Sequence, residues 1–190
     1  MERPWLTEPM QMDFIHAGLQ CAMRRGPFGA WCGYVGVPEE HPFYGVQYGD
    51  KVDFSDSGRL PIDMQRLGPI NVFISALDPD RDNNSIELCM ILPCHGGITF
   101  SGEGDHLPQA SEKLWWLGFD CGHAWDLAPA ICDSQHPDFP PGMPLPPKSF
   151  LSDLTYRTAD YVVNELRQLA TKLHDFANAK ILVTTEDEKG

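Results

Sequence analysis

One stripe of apolar residues constrains this chain more than any other feature. Tyr161, Val162, Leu166, Leu169, Leu173 and Phe176 recur at the three- and four-residue spacing that places side chains on one helix face. The spacing predicts a long helix from about Leu154 to Ala177, with Ser152 standing where an N-cap belongs. A helix with a single apolar face must lie on something, and upstream of it the sequence offers only short strand-like runs. The helix therefore reads as the cover of one sheet face, since such a stripe serves core packing more often than ligand binding.

Phe14 to Met23 and Ala30 to Val37 read as two strands, and Arg25-Gly26-Pro27-Phe28-Gly29 between them predicts a hairpin. Ile86 to Leu92 is a short apolar run stopped by Pro93; Ile98 to Phe100 resumes extended character after Gly96-Gly97, and Trp115 to Phe119 is a further strand. Prolines at 137, 140, 141, 144, 146 and 147 exclude helix and central strand from the stretch before the final helix, which becomes a surface crossover. Ile70 to Leu77 is apolar and ends in the turn formers Asp78 to Asn84. The expected fold is α+β, a mainly antiparallel sheet covered by a long C-terminal helix. It occupies a single domain over 1–190, with a loop-rich insertion at about 46–87 and an acidic tail that frays at about 184–190.

At 190 residues the chain can bury a core without metal or disulfide staples. Its 14 Lys and Arg stand against 27 Asp and Glu, a net charge of −13 with no basic run, so direct nucleic-acid binding is not expected. The same acidity serves solubility, or imitates a nucleic acid toward a basic partner; its dispersal along the chain favours the former. No apolar run approaches the ~20 residues that span a bilayer. The start, Met1-Glu2-Arg3-Pro4-Trp5, lacks the apolar core of a signal peptide, so the expected location is the cytoplasm and no membrane is expected as partner. In that compartment Cys21, Cys32, Cys89, Cys94, Cys121 and Cys132 are expected as thiols, and no C-x-x-C pair supports a zinc ribbon.

Chemistry concentrates between Cys94 and Asp126, where His95, Asp105, His106, Asp120, Cys121 and His123 also fall. His123 and Asp126 are three apart, so one helical turn would put them on a shared face with the carboxylate orienting the imidazole. Three functional readings stand beside a purely structural one in which each residue satisfies a turn or fills the core. His95, Cys121, His123 and Asp126 could bind a transition metal, with zinc suited to that donor set. Cys121 could be a nucleophile activated by His95 or His123 with Asp120 or Asp126 behind the base. Trp115, Trp116, Phe119 or Trp125 could form an aromatic surface for a nucleotide or a partner side chain, with His95 and His123 hydrogen bonding. Thr99 and Glu165 join Trp115 and Trp116 as ligand-binding candidates, Glu165 only if Tyr161 and Leu169 bracket a buried stripe. Arg24, Arg25 and Lys113 are the basic residues available to an anion pocket. Gly102-Glu103-Gly104 lacks the lysine of a phosphate loop, and neither H-E-x-x-H nor G-x-S-x-G occurs.

Four strings carry a resemblance: Cys32-Gly33-Tyr34-Val35-Gly36-Val37-Pro38, His95-Gly96-Gly97-Ile98-Thr99-Phe100, the run from Trp115 to Asp126 (WWLGFDCGHAWD), and Tyr161-Val162-Val163-Asn164-Glu165-Leu166. Together they resemble a family of small proteins encoded by tailed bacteriophages and prophages. The resemblance implies an accessory protein acting in the bacterial host cytoplasm to counteract a defence system. It would do so by binding a defence protein or its nucleotide signal, or as a metal- or Cys/His-dependent hydrolase degrading that signal. His95, Asp120, Cys121, His123 and Asp126 match the motif, so the resemblance adds weight to them as the catalytic or ligand-binding candidates, with cutting, binding and holding the fold all open as their role.

Overall fold

The structure, a computed structural model, describes residues 3–53, 85–92, 94–108, 113–134, 136–139, 141–178 and 184–185. Ile70 to Leu77 and the turn formers that follow it lie outside the described residues, as do 186–190 of the acidic tail.

The main sheet contains β1 (Gln11–His16), β2 (Leu19–Arg25), β3 (Trp31–Val37), β6 (Phe100–Gly102) and β7 (Trp115–Asp120) in the order β1-β2-β3-β7-β6. Every neighbouring pair is antiparallel. The hairpin joining β2 and β3 turns through Pro27–Gly29, as the glycines and proline there predict. Phe14 to Met23 is not one strand: the chain reverses inside it, and Phe14 pairs with Cys21. Ala17 and Gly18 make that reversal with φ of 50° and 79°, the left-handed pair a two-residue hairpin requires. Alanine is an unusual first residue for such a turn, which is why the sequence concealed it.

A second sheet pairs β4 (Lys51–Asp53) with β5 (Ser85–Glu87) and with β8 (Thr184–Thr185). The run Ile86 to Leu92 is only briefly extended, because after β5 it winds into α1 (Leu88–Ile91). Leu88, Ile91 and Leu92 are all buried, and their spacing of three and four is what one helical turn needs to bury them together. Two short helices follow, α2 (Pro129–Cys132) and α3 (Lys148–Ser152), before the long helix α4 (Ala159–Asn178).

α4 begins later than its stripe predicts. Ser152 does not cap it but ends α3, its hydroxyl donating to the Ser149 carbonyl. The cap is Thr158, whose Oγ1 accepts from the Tyr161 amide at 3.3 Å. Residues before the cap are held extended instead: the Thr155 amide donates to the Trp125 carbonyl and the Leu127 amide to the Thr155 carbonyl. That parallel bridge brings the approach to α4 alongside the segment carrying His123 and Asp126.

Val162, Leu166, Leu169, Leu173 and Phe176 are buried against one face of the main sheet, in a core shared with Met23, Trp31, Val35, Leu117 and Phe119. The opposite face buries Ala22, Tyr34, Leu107 and Trp116. Glu8 ties the N-terminal segment to the start of α4, accepting from Arg25 Nη2, Trp31 Nε1, Tyr156 Oη and the Ala159 amide. Burial alone would raise its carboxyl pKa, but these donors together hold it below the usual carboxylate value. No helix among the described residues is long and apolar enough to cross a membrane.

Candidate functional site

The site forms where β7 ends and the approach to α4 passes beside it. Asp120 closes the strand with both oxygens: Oδ1 accepts from the Gly122 amide at 2.9 Å and Oδ2 from the Thr99 hydroxyl at 2.9 Å. This staples the chain after His95-Gly96-Gly97 to the end of β7. The next residues fold into the turn that the three-residue separation of His123 and Asp126 predicts. The Asp126 amide donates to the His123 carbonyl, and the His123 amide donates to Asp126 Oδ2 at 3.1 Å.

Asp126 is the centre. Its Oδ2 lies 2.8 Å from His95 Nε2 and 3.3 Å from His123 Nδ1, while Oδ1 accepts from Arg157 Nε at 2.8 Å. His95 is held from behind as well, its Nδ1 lying 3.0 Å from Tyr161 Oη. Asp126 is 4% exposed and His95 7%, so the carboxylate is buried among its partners rather than solvated. Burial pushes its pKa up, but the hydrogen bonds from His95 and Arg157 outweigh that and keep it below the usual carboxylate value. A buried charge in this position is tolerable only because it is paired and hydrogen-bonded.

Gly96 explains the His-Gly-Gly motif. Its φ is +71°, and a Cβ there would stand 2.1 Å from Cε1 and Nε2 of His123. The His123 ring occupies the space a side chain would fill, and the two imidazoles meet edge to face with centroids 5.1 Å apart. On its other side His123 stacks on Trp125 at 5.0 Å with the rings 5° from parallel. Trp125 is 43% exposed, so the buried cluster reaches solvent as a tryptophan–imidazole platform.

His95, His123 and Asp126 thus converge, with Asp120 and Thr99 bracing the loops around them. Cys121 lies under the site but is 3% exposed, and burial first, then the neighbouring Asp126, pushes its thiol pKa well up. A thiol held protonated in this way is a poor nucleophile, since the thiolate is the reactive form. Cys94 is pushed up likewise, by burial and then by Glu165. Glu165 is half-buried one helical turn beyond Tyr161, whose phenol burial and Glu165 push up to about 12.

Trp115 and Trp116 do not line the site. Trp115 starts β7, about 17 Å from its far end at ~3.4 Å per residue, and its indole donates to the Val46 carbonyl. Trp116 points to the opposite sheet face, and Phe119 is in the core under α4. His106 packs edge to face on Tyr34 and Phe100, away from the cluster. The basic residues also divide differently from expectation. Arg24 pairs with Asp13, Arg25 with Glu8 while lying over the Trp31 ring, and Lys113 with Glu103.

Arg157 is the cation at the site, and sequence reasoning missed it. It immediately precedes the Thr158 cap with no motif around it, and the Trp125–Thr155–Leu127 pairing brings it there. Its guanidinium carbon lies 5.0 Å from the Tyr161 ring centroid, and among the described residues neither Nη makes a hydrogen bond. Tyr161 was legible only as a member of the helical stripe, not as a partner of His95.

In chemical terms the arrangement offers an oriented imidazole pair, a guanidinium paired through Nε whose Nη groups make no hydrogen bond among the described residues, and an exposed aromatic residue, Trp125. One ligand atom from each of His95, His123 and Asp126 also falls within 4.8 Å of the others, so among the described residues these three could hold a metal ion; the Cys121 sulfur is not in that group. Compared with known proteins, the chain matches no family model, no curated protein and no solved structure.

Proposed function

We propose that this is a phage accessory protein that counteracts a bacterial defence system by engaging a phosphate-bearing nucleotide signal at the His95–His123–Asp126–Arg157 site. The observation that carries the ligand class is that Arg157, whose Nη groups make no hydrogen bond among the described residues, shares Asp126 with the His123 that stacks on Trp125. A guanidinium fork suits phosphate oxygens, and an exposed indole suits a base. The resemblance to phage proteins supplies the setting. A chain of net charge −13 repels anions overall, so anion binding needs a local cluster such as this one, where a guanidinium and two imidazoles face one carboxylate.

The imidazole of His123 favours hydrolysis of the signal as a second reading, since Asp126 holds its Nδ1 and the ring is partly exposed, while His95 is fixed on both nitrogens and braces Asp126. Incubation with a panel of cyclic and linear nucleotides separates the two. Intact ligand recovered after heat denaturation indicates sequestration, and altered ligand indicates catalysis. Failure to bind any member of the panel removes the nucleotide reading and leaves a protein component of the defence as the partner.

A further inference from the structure

His95 and His123 converge on one oxygen rather than sharing the carboxylate. Asp126 Oδ2 lies within 3.3 Å of both imidazoles and also accepts the His123 amide, whereas among the described residues Oδ1 accepts only from Arg157. Beyond orienting the rings, this gathers two imidazole nitrogens and a carboxylate oxygen within 4.8 Å of one another, a donor set and spacing that suit a metal ion. Zinc-class ions hold imidazole nitrogen and carboxylate oxygen at ~2.0–2.1 Å, which sets neighbouring ligand atoms of a tetrahedral shell about 3.3–3.4 Å apart by the same geometry. The separations to Oδ2, 2.8 Å and 3.3 Å, are near that edge, and all three ligand atoms fall within 4.8 Å of one another.

The groups behind the ligands match what a metal centre needs. Tyr161 holds the outer nitrogen of His95, fixing the ring with Nε2 inward, and Arg157 holds the second oxygen of Asp126. Gly96 leaves room for the His123 ring against the backbone that follows His95, so both imidazoles reach the same point. Cys121 stands outside the set.

We infer that His95, His123 and Asp126 form a three-ligand site for a divalent zinc-class metal, with the fourth position left for a phosphate oxygen of the nucleotide. Three protein ligands with one position open is the pattern of working rather than structural zinc sites. The inference deepens the nucleotide reading and rests on it for the fourth ligand only.

The test uses full-length protein stripped with chelator and dialysed. Zinc(II) is titrated calorimetrically, and cobalt(II) is titrated while its visible d–d absorption is followed. One equivalent of metal, a tetrahedral cobalt spectrum and a higher melting temperature on loading are expected. His123→Ala should weaken binding more than tenfold, and Asp126→Asn, which preserves shape, should do the same if His123→Ala fails to fold. Tyr161→Phe should keep the stoichiometry and weaken affinity about 10–100-fold, as loss of an outer-shell partner does. Wild-type protein that takes up no metal, or a folded His123→Ala that binds it unchanged, overturns the site. The nucleotide panel is then run on stripped and loaded protein. Binding only by the loaded form supports the full inference, and equal binding by both forms overturns the phosphate position. Metal uptake without any nucleotide binding removes the nucleotide reading and leaves the metal site standing.

Discussion

Replacing Gly96 with alanine asks whether the contact between the His-Gly-Gly turn and His123 organises the site. Two costs arise. An alanine at φ +71° carries the left-handed penalty of roughly 1–2 kcal/mol. Its methyl would also stand 2.1 Å from the His123 ring, so the ring must leave. Leaving forfeits the Asp126 hydrogen bond, about 0.5–1.5 kcal/mol, and the stack on Trp125, about 0.5–1.5 kcal/mol. The sum is about 2–5 kcal/mol, or roughly 4–20 °C of melting temperature for a chain of this size. Gly18→Ala is the control, because Gly18 has φ +79° with nothing within 4 Å and so reports backbone strain alone. Urea unfolding of Gly96→Ala in the wild-type and His123→Ala backgrounds completes a double-mutant cycle. The cost should fall to the Gly18→Ala value once the ring is gone. Equal costs in the two backgrounds would refute the reasoning.

Leu166 is fully buried, with Cδ2 3.1 Å from where a Gly33 Cβ would lie, so Leu166→Ala should cost about 2–5 kcal/mol in urea unfolding. Cys121→Ala should leave nucleotide binding unchanged, because its thiol is buried and protonated; loss of binding would restore a role for the sulfur. His41 lies 2.9 Å from the Leu173 carbonyl through Nε2 and accepts the Phe43 amide on Nδ1, and burial lowers its pKa from 6.5. Below that value the unfolded chain binds a proton the folded chain resists, so this contribution is present above pH 6.5 and lost as pH falls through the folded pKa. The wild type should therefore lose more stability than His41→Gln between pH 7 and 5, and parallel profiles would contradict this.

Legibility followed the range of the interactions. The helical stripe predicts α4 because its periodicity is local, and β3 and β7 are evident as bounded apolar runs. The turn at Ala17-Gly18 escaped because alanine carries no turn signal, and α1 escaped because four apolar residues look alike in strand and helix. His95, His123 and Asp126 were visible as chemical types in one stretch. Their geometry was not, since it depends on Gly96 yielding its Cβ space and on Thr155 pairing with Trp125. Arg157 could be placed only by that pairing. Trp115 and Trp116 drew notice by being aromatic, yet strand alternation and strand length carry them away from the site.

On the proposed reading, one buried carboxylate organises a site whose open side, His123 with Trp125 and Arg157, engages a nucleotide. Calorimetric titration of the nucleotide panel into metal-loaded wild type and His123→Ala, with circular dichroism and thermal melting on the same samples, tests it most directly. The wild type should bind or convert at least one member of the panel, and His123→Ala should lose that activity more than tenfold while keeping its secondary structure, since the ring is partly exposed and lies outside the main core. A wild type inert to every nucleotide, or a folded His123→Ala that handles the same ligand equally well, would contradict it.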